Sequence, residues 1–543
     1  MFLRAPAIGA KRGAAARLFA YRTCSRLGPV NAIGLWAIAG HSPDSPAVIG
    51  ADGGVVSYAE LARQADRYGR GLRALGLAAG DTVATLLPNG VTALAMYFAA
   101  IETGLYIVPV NWHQVAGEVA YILGDSAAAV FVADERFAGT AAQAAGLAGI
   151  SRRFAAGPVP GFEPLDRLGD DGPDRRPHPR THGAPMLYTS GTSGRPKGVR
   201  RPLTGADPDD AAATAAWFFH LFGLAPFDGH VHLCGSPLYH TAVLNFATIS
   251  IQLGHPVVLM DGWDPAEALR LIERHRVTHT HVVPTQFRRM LGLPGEARAR
   301  YDTGSLRAVI HSAAPCPPEV KRRMIGWLGP VIVEYYAATE GGGTLIGSAE
   351  WLRKPGSVGL PWPGSQVRVL DRAGQEVAPG QQGLVYMRMG TSSFSYHNDE
   401  QKTRAARAGD LFTVGDIGYL DGDGYLFLCD RDSDVIISGG VNIYPSEIEA
   451  ELSCHPAVAD VAVFGIPHDD WGEEVKAVVE PAPGVQPGPA LTAELLAFLD
   501  GRVARFKLPR TIDYAAQLPR DPNGKLYKRR LRDPYWGGRG RAI

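Results

Sequence analysis

Residues 188–198 read Tyr-Thr-Ser-Gly-Thr-Ser-Gly-Arg-Pro-Lys-Gly and follow a short apolar, β-prone stretch. Gly191 and Gly194 let the backbone approach a ligand and turn its N–H groups inward. The hydroxyls of Thr189, Ser190, Thr192 and Ser193 add neutral donors, and Lys197 adds a positive charge on an approach stiffened by Pro196. This chemistry suits a polyphosphate. It is not a Walker A loop, which needs Gly-x-x-x-x-Gly-Lys, because Lys197 follows Pro196. The nearest approach to a dinucleotide fingerprint, Gly69-Arg-Gly71, sits inside a helical pattern and not after a strand. By residue type alone, the 188–198 run is also compatible with an ordinary Gly/Ser surface loop.

Further along the chain come shorter signals. His240 follows Pro237-Leu238-Tyr239, and Ala313, Ala314 and Pro315 follow Ser312. Tyr336-Ala337-Ala338-Thr339-Glu340 precedes three glycines, and Asp416 ends Phe-Thr-Val-Gly-Asp. Lys525 follows Asn523-Gly524, a tight-turn pair that presents it at a loop tip. Taken singly, these read as a structural histidine, turns and a surface lysine.

The elements that must position these residues alternate. β-rich runs lie at 83–87, 106–110, 129–132, 230–233, 256–260, 279–283, 307–311 and 331–335, with helical patterns such as 58–75 and 265–275 between them. Such alternation predicts α/β layers with largely parallel sheets. Residues 157–183, rich in Pro, Gly and charge, read as a surface loop, and Gly422-Asp-Gly424 reads as a hairpin turn. After Asp430 a helix is expected at 445–452, strands at 458–464 and 475–479, and a helix at 491–503. This divides the chain into an arm at 1–43, a large α/β unit at 44–431 and a small α+β unit at 432–543. A length of 543 residues is too great for one hydrophobic core.

The ordered strings resemble the adenylate-forming superfamily of acyl- and aryl-CoA synthetases, peptide-synthetase adenylation domains and firefly luciferase. The 188–198 string matches its signature. A second specific string, residues 430–449, reads Asp-Arg-Asp-Ser-Asp-Val-Ile-Ile-Ser-Gly-Gly-Val-Asn-Ile-Tyr-Pro-Ser-Glu-Ile-Glu and resembles the domain junction of the CoA synthetases. The resemblance implies a large N-terminal domain of several subdomains, a small mobile C-terminal domain, and ATP, Mg²⁺ and coenzyme A as cofactor and co-substrates.

Residue by residue, the resemblance implies that Thr189, Ser190, Gly191, Thr192, Ser193, Gly194 and Lys197 hold phosphates. Ala313, Ala314 and Pro315 would wall the adenine, Tyr336 would stack on it, and Thr339 would bond the α-phosphate. Glu340 would hold Mg²⁺, a hard cation suited to carboxylate and phosphate oxygens. Asp416 would take both ribose hydroxyls, Arg431 would contact ribose or phosphate, and Lys525 would be catalytic. His240 would position the reacting carboxylate. Gly439, Gly440 and Trp471 would meet coenzyme A, and Asp432 and Ser433 would form the hinge. Two positions depart from the family pattern: Ala337 replaces a glycine, and Ser433 stands where Asp or Lys is usual. Lys507 is a second cation near the C-terminus.

The implied reaction is acid plus ATP to acyl-AMP and pyrophosphate, followed by transfer of the acyl group to a thiol. The leading reading is a carboxylic acid–CoA ligase. Alternatives are a stand-alone enzyme that loads a carrier protein, an inactive nucleotide-binding regulatory protein, and a luciferase-like oxygenase. The expected acid pocket, residues 217–222 and 239–251, is apolar and aromatic, which suits a fatty, bulky alicyclic or other hydrophobic acid. Residues 339–344 and 351–359 also resemble fatty-acid and lipid-acid CoA ligases.

Composition narrows the class. Lys plus Arg and Asp plus Glu both number 54, so no basic excess points to nucleic acid. Five scattered cysteines support neither a disulfide framework nor a zinc site, and a reducing cytoplasm is the simplest compartment. No apolar run is long enough to span a membrane. Arg4, Lys11, Arg12, Arg17, Arg22 and Arg26 precede the first acidic residue, Asp44. The arm they define reads as a transit peptide, as a peripheral contact with anionic lipid, or as a solvated arm with a helix packed on the body.

Overall fold

A capping box starts the helix Tyr58–Ala74. Glu60 N–H donates to Ser57 Oγ, and Ser57 N–H donates back to the Glu60 carboxylate at 2.8 Å. Its face of Tyr58, Leu61, Ala65, Tyr68 and Leu72 is buried, at the spacing of a single helical stripe. That stripe packs on the helix Val91–Thr103, which is apolar nearly all round and buried along most of its length. These elements belong to a computed structural model that describes residues 33–169, 176–189, 196–390, 393–520 and 526–537. Most of the basic arm lies outside the described residues. Its end forms the helix Leu35–His41, whose Leu35, Trp36 and Ile38 are buried against the body.

The first sheet has six parallel strands, in the order Glu163–Pro164, Arg153–Ala156, Ala128–Asp134, Thr82–Leu86, Tyr106–Pro109 and Ala184–Pro185. The stretch read as a surface loop therefore contributes an edge strand. It also buries Leu165 and Leu168. Leu168 fits because Gly71 has no side chain: a Cβ there would meet Leu168 Cδ1 at 2.7 Å. The Gly-Arg-Gly run lies inside the helix Tyr58–Ala74, as its pattern implied, and it makes room for packing.

The second sheet has 14 strands. One half is parallel: Pro46–Ile49, Val257–Leu259, His232–Cys234, His279–Val282, Ala308–His311 and Ile332–Ala337. The other half, from Gly343–Gly347 to Leu426–Arg431, is an antiparallel array. Alternation of strand and helix covers only the parallel half; of the antiparallel half, only the hairpin at 422–424, between Leu411–Leu420 and Leu426–Arg431, is expected from the sequence. A three-stranded sheet joins Leu187–Thr189, Lys197–Arg200 and Ser395–Tyr396. The C-terminal unit has its own five-stranded sheet and its own core around Ile436, Ile448, Val463 and Leu495. The helix Pro445–Leu452 lies where the pattern put it.

The parallel half carries a group of buried histidines. His279 Nε2 lies 3.0 Å from Ser250 Oγ, His281 Nε2 2.8 Å from Ser312 Oγ, and His255 Nε2 2.8 Å from the Ala225 carbonyl. Burial pushes the imidazoles of His232 and His281 down to about 3 and that of His255 to about 4. These groups are neutral when folded and take up protons more readily when unfolded. Their contribution to stability is therefore present above an unfolded pKa of about 6.5 and is lost as pH falls below it. Between about pH 6.5 and pH 5, each group shifted to 3–4 should remove about 2 kcal/mol. Urea midpoints measured across that range should fall steeply; an unchanged midpoint would refute the assignment.

Candidate active site

The chain reverses where the parallel half of the large sheet meets the antiparallel half. The strand Ile332–Ala337 runs out, and Gly343–Gly347 returns alongside it. Gly343 has φ +158°, and a Cβ there would fall 2.1 Å from the Tyr336 carbonyl oxygen. Only glycine fits so close an approach. Tyr336, Thr339 and Glu340 line this turn.

Tyr336 OH donates to Asp416 Oδ2 at 2.6 Å, and Arg431 Nε lies 3.3 Å from Asp416 Oδ1. Asp416 and Arg431 face each other across paired strands. Burial, reinforced by the Asp416 charge, raises the Tyr336 hydroxyl well above its ordinary value, so the phenol stays a donor. The Asp416 carboxylate is thus held from both sides.

Thr339 is fixed twice. Its Oγ1 is 3.2 Å from Thr241 Oγ1, and its carbonyl accepts from Arg201 at 2.7 Å. Burial lowers the Arg201 guanidinium, against a pull from Glu340. Glu340 is 7% exposed and accepts from Tyr396 OH at 2.7 Å. The strand Ala308–His311 leads into Ala313, Ala314 and Pro315. Ala313 stands at φ +73°, a region an L side chain adopts at a cost of order 1–3 kcal/mol and one that often marks a functional turn.

The phosphate run is described only at its flanks. Ser190, Gly191, Thr192, Ser193 and Gly194 lie outside the described residues, and so does Lys525. Thr189 and Lys197 are cross-strand partners, and Lys197 is ion-paired with Asp399. Tyr188 OH donates to Asp125 at 2.6 Å, securing the entering strand.

On the acid side, His240 starts the helix Thr241–Gln252, and its ring lies 4.3 Å from that of Tyr239. The two segments expected to line the acid pocket meet in a buried aromatic core cluster. Phe218 and Phe222 pack on Phe246 at 5.7 and 5.4 Å between ring centres, with Tyr335 and Trp362 completing the cluster.

In the C-terminal unit, Gly439 and Gly440 form an exposed turn between Ile436–Ser438 and Val441–Ile443, both at positive φ. Gly439 N–H donates to the Trp471 carbonyl. Trp471 stacks on His468 at 4.5 Å and lies under Arg510. Asp432 and Ser433 fall in a short turn, where the Ser433 carbonyl accepts from Arg532. Lys507 is paired with Glu447. The unit is anchored at Asp460, which accepts from Arg520 and, at 2.7 Å, from Arg288 of the large unit. Burial alone would raise the Asp460 carboxyl, but the two guanidiniums carry it below its ordinary range.

Sequence reasoning missed Arg201, Asp399 and Tyr396, and it placed Thr241 only as part of the expected acid pocket at 239–251. The only local sign is that Arg201 closes the basic end of the phosphate run; the others carry no motif of their own.

Comparison with known proteins bears directly on this cleft. The chain matches the AMP-binding enzyme family over residues 35–396 and the AMP-binding enzyme C-terminal domain over residues 447–525. The chain belongs to this family. A fatty acid–[acyl-carrier-protein] ligase, ScoC, from Streptomyces coeruleorubidus is 33% identical over 93% of this chain and 96% of its own. A feruloyl-CoA synthase from Amycolatopsis is 34% identical over 92% of this chain and 98% of its own. The ATP-bound structure of MatB from Rhodopseudomonas palustris superposes with a TM-score of 0.78 at 31% identity, covering 91% of this chain and 96% of MatB.

Within this AMP-binding enzyme, Asp416→Asn keeps the shape of the side chain and removes its charge. Equilibrium ATP affinity should fall about tenfold, the scale of a lost hydrogen bond to a charged group. Unchanged affinity would remove Asp416 from the nucleotide site.

Proposed function

We propose that this protein is an ATP-dependent carboxylic acid–CoA ligase acting on a hydrophobic acid. One observation carries the reading: Thr339, Glu340, Asp416 and Arg431 converge on the turn between the sheet halves, beside the aromatic cluster of Phe218, Phe222, Phe246, Tyr335 and Trp362.

A carboxylate is a poor acyl donor, and joining it to AMP makes phosphate the leaving group. The acid oxygen attacks the α-phosphorus and pyrophosphate departs. Such a step needs positioning and charge stabilisation more than a protein nucleophile. His240 orients the acid, Thr339 bonds the α-phosphate, and Asp416 with Arg431 holds the ribose. Tyr336, Ala313, Ala314 and Pro315 enclose the base. Thr189, Ser190, Thr192, Ser193 and Lys197 hold the departing phosphates, with Gly191 and Gly194 allowing close approach. Lys525 supplies a positive charge to the transition state.

Glu340 fits a Mg²⁺ site. It is a buried carboxylate with one oxygen held by Tyr396, and the described residues form no group of three or more His, Cys, Asp or Glu able to hold a metal alone. Mg²⁺ is commonly held by one or two carboxylates together with substrate phosphates. When bound, it neutralises phosphate charge.

For thiol transfer, the C-terminal unit pivots at Asp432 and Ser433 and brings Gly439 and Gly440 to the pantetheine, with Trp471 near the coenzyme A nucleotide. Transfer to a carrier protein is the second reading, favoured by the similarity to ScoC. Peripheral membrane contact through the basic arm would supply a lipid-like acid. Among the described residues no helix is long and apolar enough to cross a membrane.

A pyrophosphate-release screen over acids of graded length and ring content should select apolar acids, and coenzyme A against holo-carrier protein should identify the acceptor. Silence across the whole panel would favour an inactive nucleotide-binding protein. Lys525→Ala should slow adenylation by roughly 10²–10³, the range for losing one transition-state partner. Thioester formation from supplied acyl-AMP should change far less. Equal loss in both half-reactions would refute that role for Lys525.

A further inference from the structure

Tyr396 touches both parts of the phosphate machinery. Its hydroxyl, on a residue only 6% exposed, donates to Glu340 Oε1 at 2.7 Å. That bond holds one oxygen of the Glu340 carboxylate. Its backbone pairs with Val199, on the strand that begins at Lys197 and leaves the phosphate run. The neighbouring His397 N–H donates to the Gly198 carbonyl at 2.8 Å, and Asp399 pairs with Lys197. Thr403 Oγ1 accepts from Tyr396 N–H at 3.0 Å and donates to the Asp399 carbonyl at 2.8 Å, closing the turn. Any shift of the strand at 197–200 therefore moves the residue that aims Glu340.

We propose that Tyr396 is a positioning residue that orients Glu340 toward Mg²⁺ and ties that orientation to the seating of the triphosphate. The proposal rests on the reading of Glu340 as the metal carboxylate. It follows from the same physics that makes the hydrogen-bond partners of metal ligands govern metal affinity.

The test is equilibrium titration of ATP onto the full chain without acid, with and without Mg²⁺. Tyr396→Phe keeps the ring packed against Phe394, 5.4 Å away between centres. Its gain in ATP affinity from Mg²⁺ should fall about tenfold, the lower end for losing such a partner, while metal-free ATP binding changes less than about twofold. Thr403→Val loosens the turn without touching Glu340 and should move the gain the same way by a smaller factor. In acid-dependent pyrophosphate release, the Mg²⁺ concentration for half-maximal rate should rise in step. A wild-type Mg²⁺ gain in Tyr396→Phe would overturn the proposal. Glu340→Gln separates the two ideas. If it abolishes the Mg²⁺ gain while Tyr396→Phe does not, only the positioning role falls. If it leaves the gain intact, Glu340 is not the metal carboxylate.

Discussion

The site hangs on one backbone constraint, the reversal between Ile332–Ala337 and Gly343–Gly347. The returning strand passes so close to Tyr336 that a side chain at Gly343 would collide with its carbonyl. The tight return holds Thr339 and Glu340 in the cleft, with Tyr336 close enough to bond Asp416 on the antiparallel half. Ala337, where the family has glycine, ends the parallel strand in ordinary β pairing with Gly343. The backbone freedom needed at this turn is supplied by the glycines that follow, with Gly341 at φ +126° and Gly342 at +73°.

Around that reversal, charges are arranged in held pairs. Asp416 lies between a phenol and a guanidinium, Lys197 is masked by Asp399, and Glu340 is bonded to Tyr396. Each pair satisfies a polar group that burial would otherwise penalise. The same device operates between the two units, where Asp460 is shared by Arg288 and Arg520. Arg520 lies five residues before Lys525. The contact that docks the small unit is thus also close in sequence to the lysine proposed to act in adenylation.

The contiguous strings at 188–198 and 430–449 marked the family in the sequence because each is a run of neighbouring residues that needs no tertiary contact to be read. The helices Tyr58–Ala74 and Pro445–Leu452 were legible for a similar reason: periodicity and capping are local. The edge strand within 157–183 was not, because its Pro- and Gly-rich composition reads as loop and its two residues, Glu163 and Pro164, are too few to show an alternation. The histidine group was equally invisible, since its members are spread over the strands His232–Cys234 and His279–Val282 and the loop at His255, and only the sheet brings them together.

The sequence by itself determined the family, the kinds of group at each site position and the alternation that builds the parallel layers. Tertiary structure decided which groups face one another. Tyr396 and Glu340 are 56 residues apart, Tyr336 and Asp416 are 80, and Arg201 and Thr339 are 138. The antiparallel half of the large sheet, whose strands are joined mostly by turns with the short helices Ser348–Arg353 and Glu400–Ala405 among them, supplies Asp416 and Arg431, and apart from its hairpin at 422–424 it was likewise decided in three dimensions. The physical reason is that a residue's type and spacing fix what it can bond, whereas the partner it bonds depends on strand order and on how tightly the backbone turns at Gly343.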